Sequence, residues 1–266
     1  MKRKMNHQLK IYGAIILLFI GILCIAAFVF GESVTKVNLA QAFHAPNSKE
    51  WFGTDALGRS VFERTLSGGI QTVIPSLFIL FIVVTVGSFI GISSGLIGGK
   101  FDRTIFLIIT AFQAFPAIIF VIMLVGILGV GLQQTVIAIC MTNWAKYAYL
   151  TRILTLQLKE EPYIQSATMF GNEYLQTIRN YYLPSLFPQI LTTAIFDVSN
   201  TIMEIAGLSF IGLGAQVPSP EWGAMINDGR AYIQEAPWIV VFPCLMIILT
   251  VLLFTRFGEL LKQKLN

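Results

Sequence analysis

The chain has 266 residues, 55% of them apolar and 12% charged, with a net charge of +4. Ordinary soluble domains carry about twice that charged fraction, and Ile11 to Gly31, Thr65 to Gly99, Thr104 to Ala145 and Ala236 to Thr255 contain no charged residue at all. Each run is long enough for a helix to cross about 30 Å of hydrocarbon, which excludes a soluble globular protein and predicts an all-α integral membrane protein.

Taken in order, the first predicted span covers 11–30, behind Lys2, Arg3, Lys4 and Lys10. Its apolar stretch exceeds the ~7–15 residues of a signal-peptide core and no A-x-A site follows, so a retained helix is expected. A segment over 31–72 leads to spans at 73–98, 104–128 and 131–154, the last carrying Lys146. Pro116 reads as a kink that neighbouring helices tolerate. A second long segment, 155–186, precedes spans at 187–212, which carries Asp197 and Glu204, and 237–257. Cys24, Cys140 and Cys244 fall in apolar runs, with no disulfide or metal spacing.

Six spans put both chain ends on one side, whereas five would separate them. With the amino terminus in the cytoplasm, Lys2, Arg3, Lys4, Lys10, Lys100, Arg103, Arg152, Lys159, Arg179, Arg256, Lys262 and Lys264 lie inside. Lys36, Lys49, Arg59, Arg64 and Arg230 lie outside. That bias obeys the positive-inside rule and predicts cytoplasmic ends; the basic balance reports topology, not nucleic-acid binding.

Connections as long as 31–72 and 155–186 are usually functional. In the inner one, Pro162 suits a first helical position, and Tyr163 to Phe170 forms a short amphipathic helix that Gly171 can end. A second helix runs from Asn172 to Tyr182, and Pro184 and Pro188 mark the start of the next span. The pair forms either a knob that transmits a push into its flanking spans or an interfacial helix lying on headgroups.

The run Ser166-Ala167-x-x-x-Gly171, then Ile178 and Leu183-Pro184, resembles the "EAA" loop of ABC-importer permeases. Ser166 stands where that family usually has Ala, and Tyr181 where it often has His. There the loop is the coupling helix seated in a groove of the ATPase. The resemblance thus implies ATPase coupling by Tyr163, Ser166, Ala167, Phe170, Gly171, Ile178, Leu183 and Pro184.

Phe52-Gly53-Thr54-Asp55-x-Leu57-Gly58-Arg59 is similar to the G-T-D-x-x-G-R-D signature of the dipeptide/oligopeptide/nickel permease family. Gly99-Lys100-Phe101-Asp102-Arg103, Ala114-Phe115-Pro116, Leu208 to Gly214 and Pro220-x-Trp222-Gly223-Ala224-Met225 resemble its later segments in the same order. Ser60 replaces the second Asp, Ile70 a frequent Arg, and the final G-D-x-L-R becomes Gly258-Glu259-x-Leu261-Lys262.

The resemblance implies the six-helix type I importer permease fold in a bacterial cytoplasmic membrane. It further implies a second permease subunit, two ATPase subunits that use ATP and Mg²⁺, and an external substrate-binding protein. No cofactor or metal is expected on this chain, and the cargo is short peptides or nickel and metal–chelator complexes. Gly53, Thr54, Asp55, Gly58 and Arg59 form the outer signature. Asp55 and Arg59 either pair on an exposed turn or help close an outer gate. Gly212 and Gly214 are expected to permit close helix packing.

An acid near the bilayer centre costs roughly 2.5–3.5 kcal/mol on insertion scales. At ~100° per residue, Thr193, Asp197, Asn200 and Glu204 share one face within an arc of about 60°, which must meet protein or water. That stripe lines a substrate pathway or contacts the partner permease. Asp197 is the better candidate for tuning substrate, and Glu204 for the partner contact.

No Gly-x-x-x-x-Gly-Lys-Ser/Thr loop is present: Phe101 follows Gly98-Gly99-Lys100, and Ser94 occupies the first glycine position. Energy must then come from other subunits, and the chain is not itself an enzyme. His7 and His44 are the histidines and neither lies in a predicted span, which disfavours bare nickel held by imidazoles. The alternative is an ion-coupled secondary transporter acting alone, with Asp197 and Glu204 as ion sites, though no inverted repeat is visible.

Overall fold

A computed structural model describes residues 2–169 and 174–265, and among the described residues there is no β-strand. The helices are α1 (Lys2–Phe30), α2 (Val61–Ile97), α3 (Gly99–Ala114), α4 (Ala117–Leu128), α5 (Leu132–Lys159), α6 (Pro162–Met169), α7 (Tyr174–Thr177), α8 (Leu183–Phe210), α9 (Trp222–Gly229) and α10 (Trp238–Leu265). Helices α1, α2 and α10 are each long and apolar enough to cross a membrane, and α3 with α4 makes a fourth span if the bent pair is one. Helices α5 and α8 have 28 residues each, about 42 Å at 1.5 Å per residue, but carry more polar side chains.

Three boundaries differ from expectation. Helix α2 starts at Val61 rather than near 73, which shortens the 31–72 segment. Arg64, Thr65, Ser67 and Thr72 looked like loop polarity, yet they are buried against the protein's own segments. The expected kink at Pro116 is a break, with α3 and α4 bent by 88°. Proline disfavours helical geometry in the residue before it, and Phe115 is extended at φ −97, ψ 142. Pro184 falls in the first turn of α8, as expected of a helix start, but Pro188 lies inside it: α7 continues through one π turn, Ile178–Tyr182, directly into α8, which begins at Leu183 rather than 187.

Close approach of α2 and α5 organises the bundle. Gly87, Gly91 and Gly95, spaced one turn apart, face α5; a Cβ would sit 2.5 Å from the Trp144 carbonyl oxygen at Gly87 and 2.2 Å from that of Ala148 at Gly91. Small residues at this spacing let backbones meet where water supplies no driving force. Around the seam, Ile79, Val83, Val121, Val125, Ile139, Ile202 and Leu208 form the main core. Gly212, by contrast, meets open space and has φ +86; it serves the turn after α8 and not helix packing.

The first turns of α1 and the last turns of α10 lie together, with Gln8 and Tyr12 beside Arg256 and Glu259. The same end of the bundle gathers the ends of α2 and α5 and the start of α8 around Ile164 of α6. At the other end α9 wedges between α2 and α8. Trp222 is fully buried, its indole Nε1 donating to the Thr65 carbonyl at 2.7 Å. Gly68 and Gly223 admit that wedge, since a Cβ would lie 1.7 Å from the Pro220 oxygen or 2.1 Å from the Ala206 oxygen.

Gly91→Val drives a side chain into the α5 backbone, which cannot rotate away, and is expected to cost at least about 3 kcal/mol, the upper range for overpacking. Gly207, inside α8 with open space around it, is the control: Gly207→Ala gains helix propensity of about 0.8–1 kcal/mol. Thermal unfolding of the two variants in detergent should move in opposite directions.

Candidate functional site

Sequence-derived candidates fall into three places. The first is α6. Its Ile164 is 2% exposed, packed with Tyr182 and Leu186 against Ile92, Leu96, Leu154 and Leu158. Tyr163, on the flank beside it, is 46% exposed with its ring tilted towards Tyr181 at 6.5 Å, and exposed Ser166 on the far side donates its hydroxyl to the Pro162 carbonyl. The helix thus plants one apolar side chain among three helix ends and turns its other face outward. Ala167 belongs to α6 by its backbone; Phe170 and Gly171 lie outside the described residues. Ile178, Leu183 and Pro184 line an open apolar groove with Phe89 and Ile92 of α2.

The second place is the seam between α5 and α8. Lys146 Nζ donates to both Asp197 carboxylate oxygens at 2.7 Å. The Tyr147 hydroxyl donates to the same carboxylate at 2.7 Å and Asn200 Nδ2 at 3.0 Å. One turn towards the other end, Asn143 Nδ2 donates to Glu204 Oε2 at 3.0 Å. Asp197 is therefore a buried acid surrounded by donors, while the Lys146 side chain is 55% exposed. Thr193 bonds within its own helix, to the Gln189 carbonyl, and lines an open cavity with Asp197, Thr192 and Lys262.

Asn143, Lys146 and Tyr147 were not among the sequence candidates. The available signal was charge complementarity: a base in one span and an acid in the next are each expensive unless paired.

The third place is the end of the bundle that carries α9. Asp55 accepts the backbone N–H groups of Leu57 and Arg59 at 2.9 Å and Arg59 Nε at 2.7 Å. The pair does form locally, but on a buried turn rather than an exposed one. Thr54 donates to the Gln41 carbonyl at 2.5 Å and accepts from the His44 N–H. Gly53 and Gly58 have φ near +70 and press on His44 and Asn38 backbone oxygens, so only glycine fits either position.

Arg64, missed by sequence reasoning because it read as loop, is 2% exposed and donates to the carbonyls of Val34 and Pro218 at 2.9 and 3.2 Å. It ties the outer segment to the loop before α9. Asp228, with its carboxyl raised by burial and opposed by Arg64 and Arg59, lines a small cavity with Asp55, Arg59 and Arg64. Fully buried Glu221 caps α9 by accepting from Ala224 N–H at 2.9 Å and Thr72 Oγ1 at 2.8 Å; burial pushes its carboxyl up. No three His, Cys, Asp or Glu side chains gather to hold a metal ion among the described residues.

Lys146→Met leaves the Asp197 charge without its cation and should lower stability by about 1–3 kcal/mol. Adding Asp197→Asn should recover most of that loss, a reversal that thermal unfolding of the single and double variants would detect.

Residues 87–266 match the family described as binding-protein-dependent transport system inner membrane component. The nickel transport system permease protein NikC of Escherichia coli K12 is 33% identical over 86% of this chain and 83% of its own length. The dipeptide transport system permease protein DppC of Alkalihalophilus pseudofirmus is 36% identical over 100% of this chain and 88% of its own. The glutathione transport system permease protein GsiD of Escherichia coli O157:H7 is 36% identical over 84% and 74%. In fold, a chain of the inward-facing MetNI methionine ABC transporter superposes with a TM-score of 0.63 at 18% identity, covering 77% of this chain and 97% of its own. A family match over most of the chain, relatives above 30% identity and an all-helical fold of the same kind agree: the chain belongs to the binding-protein-dependent transport system inner membrane components.

Proposed function

We propose that this chain is one of two permease subunits of an ATP-driven ABC importer, and that its cargo is a short peptide or a nickel or metal–chelator complex. Relatives named for nickel, dipeptide and glutathione transport support that range. Two cytoplasmic ATPases using ATP and Mg²⁺ drive the cycle, and an external binding protein delivers cargo to the outer loops. The chain itself hydrolyses nothing. It crosses a bacterial cytoplasmic membrane six times with both ends inside, a count favoured by the meeting of α1's start with α10's end and by the positive-inside bias.

The observation that carries this reading is α6. A short helix with an exposed outer face, and with Ile164 seated among the ends of α2, α5 and α8, is built to receive a push and distribute it. ATP binding closes the ATPases on Tyr163, Ser166 and the residues through Gly171, and the spans behind them open the pathway outward. Hydrolysis resets it. The polar seam of α5 and α8 faces the pathway, where Lys146 and Asp197 offer a cation and an anion side by side to a zwitterionic cargo. The buried Asp55–Arg59–Arg64 staple supports a gate role for the outer signature, because it joins the outer segment to α2 and the loop before α9.

Tyr163→Glu places charge on the half-exposed flank of α6 beside Tyr181 while leaving Ile164 in its seat, and Gly171→Trp adds bulk to the proposed docking segment. Both are expected to cut ATP-driven uptake at least about tenfold, since a like-sized loss follows from removing ~1.4 kcal/mol of coupling. Assembly of the permease pair should be intact, as read by co-purification. Wild-type uptake and cargo-stimulated hydrolysis in both variants would defeat the assignment.

A further inference from the structure

Helix α3 is bound to the bundle by few side chains. Only Ile109 of its 16 residues is buried, resting on the small residues Ala145 and Ala148 of α5, with Phe112 against Trp144. Both of its ends are breaks. Gly98 and Gly99 have φ of +71 and +62, with open space where a side chain would stand, so they serve a backbone bend and not a close approach. At the far end lies the 88° turn into α4. A helix on smooth apolar contacts between two bends can swing.

One polar cluster opposes that swing. Asp102, in the first turn of α3, accepts Arg152 Nε at 2.6 Å and Nη2 at 2.7 Å, and Ser94 Oγ at 2.6 Å. The guanidinium also stands 4.4 Å from the centre of the Phe106 ring, one turn along α3. Asp102 therefore binds α3 to the last turn of α2 and the lower half of α5 together. A two-point fork resists rotation as a single bond does not. Lys159 Nζ adds a bond to the Leu96 carbonyl, and Leu96, Leu154 and Leu158 are the side chains that seat Ile164 of α6.

We propose that Asp102 and Arg152 are positioning residues for transport: their fork carries movement of the α6 segment into α3 and, across the Phe115–Pro116 bend, into α4. This rests on α6 being the ATPase-docking segment. Movement of Ile164 shifts the ends of α2 and α5, and the fork makes α3 follow; without it, α3 slides on Ala145 and Ala148. The α2–α5 glycine seam, which adjoins that face at Ala148, is held by close backbone approach from Trp144 to Thr155 and uses neither the Asp102 nor the Arg152 side chain, so the bundle survives loss of the fork.

The test uses the whole importer, reconstituted in vesicles with its partner permease, ATPases and binding protein. The probe is whichever of a labelled dipeptide, glutathione or nickel(II) the wild-type complex carries. Asp102→Asn and Arg152→Gln should lower cargo moved per ATP hydrolysed about tenfold, within the usual range of coupling between sites, with ATP hydrolysis retained. Arg152→Lys keeps the charge but not the fork and should fall between wild type and Arg152→Gln. A purely structural role would move uptake and hydrolysis together.

An unchanged ratio in assembled Asp102→Asn and Arg152→Gln complexes overturns the inference. If those variants do not assemble, Ser94→Ala, which removes one hydrogen bond and no charge, decides: a lowered ratio supports the link, and a wild-type ratio overturns it. Tyr163→Glu runs alongside. Normal uptake and hydrolysis there remove the coupling reading itself, whereas loss there with an unchanged ratio in Asp102→Asn removes only the link.

Discussion

The structure depends on the close approach of α2 to α5. Helix α5 carries Asn143, Lys146 and Arg152, groups that hydrocarbon does not accept without partners. It lies within the bundle because Gly87, Gly91 and Gly95 remove every side chain that would hold it away. Enclosed there, it turns Asn143 and Lys146 towards α8 and Arg152 towards α3. Both of its polar seams follow from that one contact.

The two ends of the bundle are built differently. Buried hydrogen bonds and ion pairs hold the end that carries α9: Arg64 on two carbonyls, Asp55 on its own turn, Glu221 on α9. Such ties have defined geometry and give a rigid rim. At the opposite end, α6 sits on the ends of neighbouring helices through Ile164, an apolar contact without direction. Apolar contacts permit small shifts while preserving burial, and the Asp102–Arg152 fork adds a direction to those shifts.

Much of the candidate site was legible in one dimension. The acidic stripe of α8 follows from helical spacing alone, and two of its members, Asp197 and Glu204, do meet donors on α5. The short helix after Pro162 was legible from its proline and apolar spacing. Less legible was anything where polarity faces protein. Arg64, Thr65 and Thr72 made the start of α2 look like loop because burial by other segments leaves no local mark. Gly212 and Gly87 are the same residue type, yet one serves a turn and the other a helix contact; spacing did not separate them.

By itself, the sequence determined the class of protein, the order of its apolar helices and the side of each acid on its helix. Those properties depend on hydrocarbon thickness and the 3.6-residue repeat, which act along the chain. Only the tertiary structure decided that Lys146, 51 residues away, neutralises Asp197, that Arg64 is enclosed, and that Pro116 breaks its helix into two arms. Those outcomes depend on which helix faces meet, and that is set by how closely α2 and α5 approach in three dimensions.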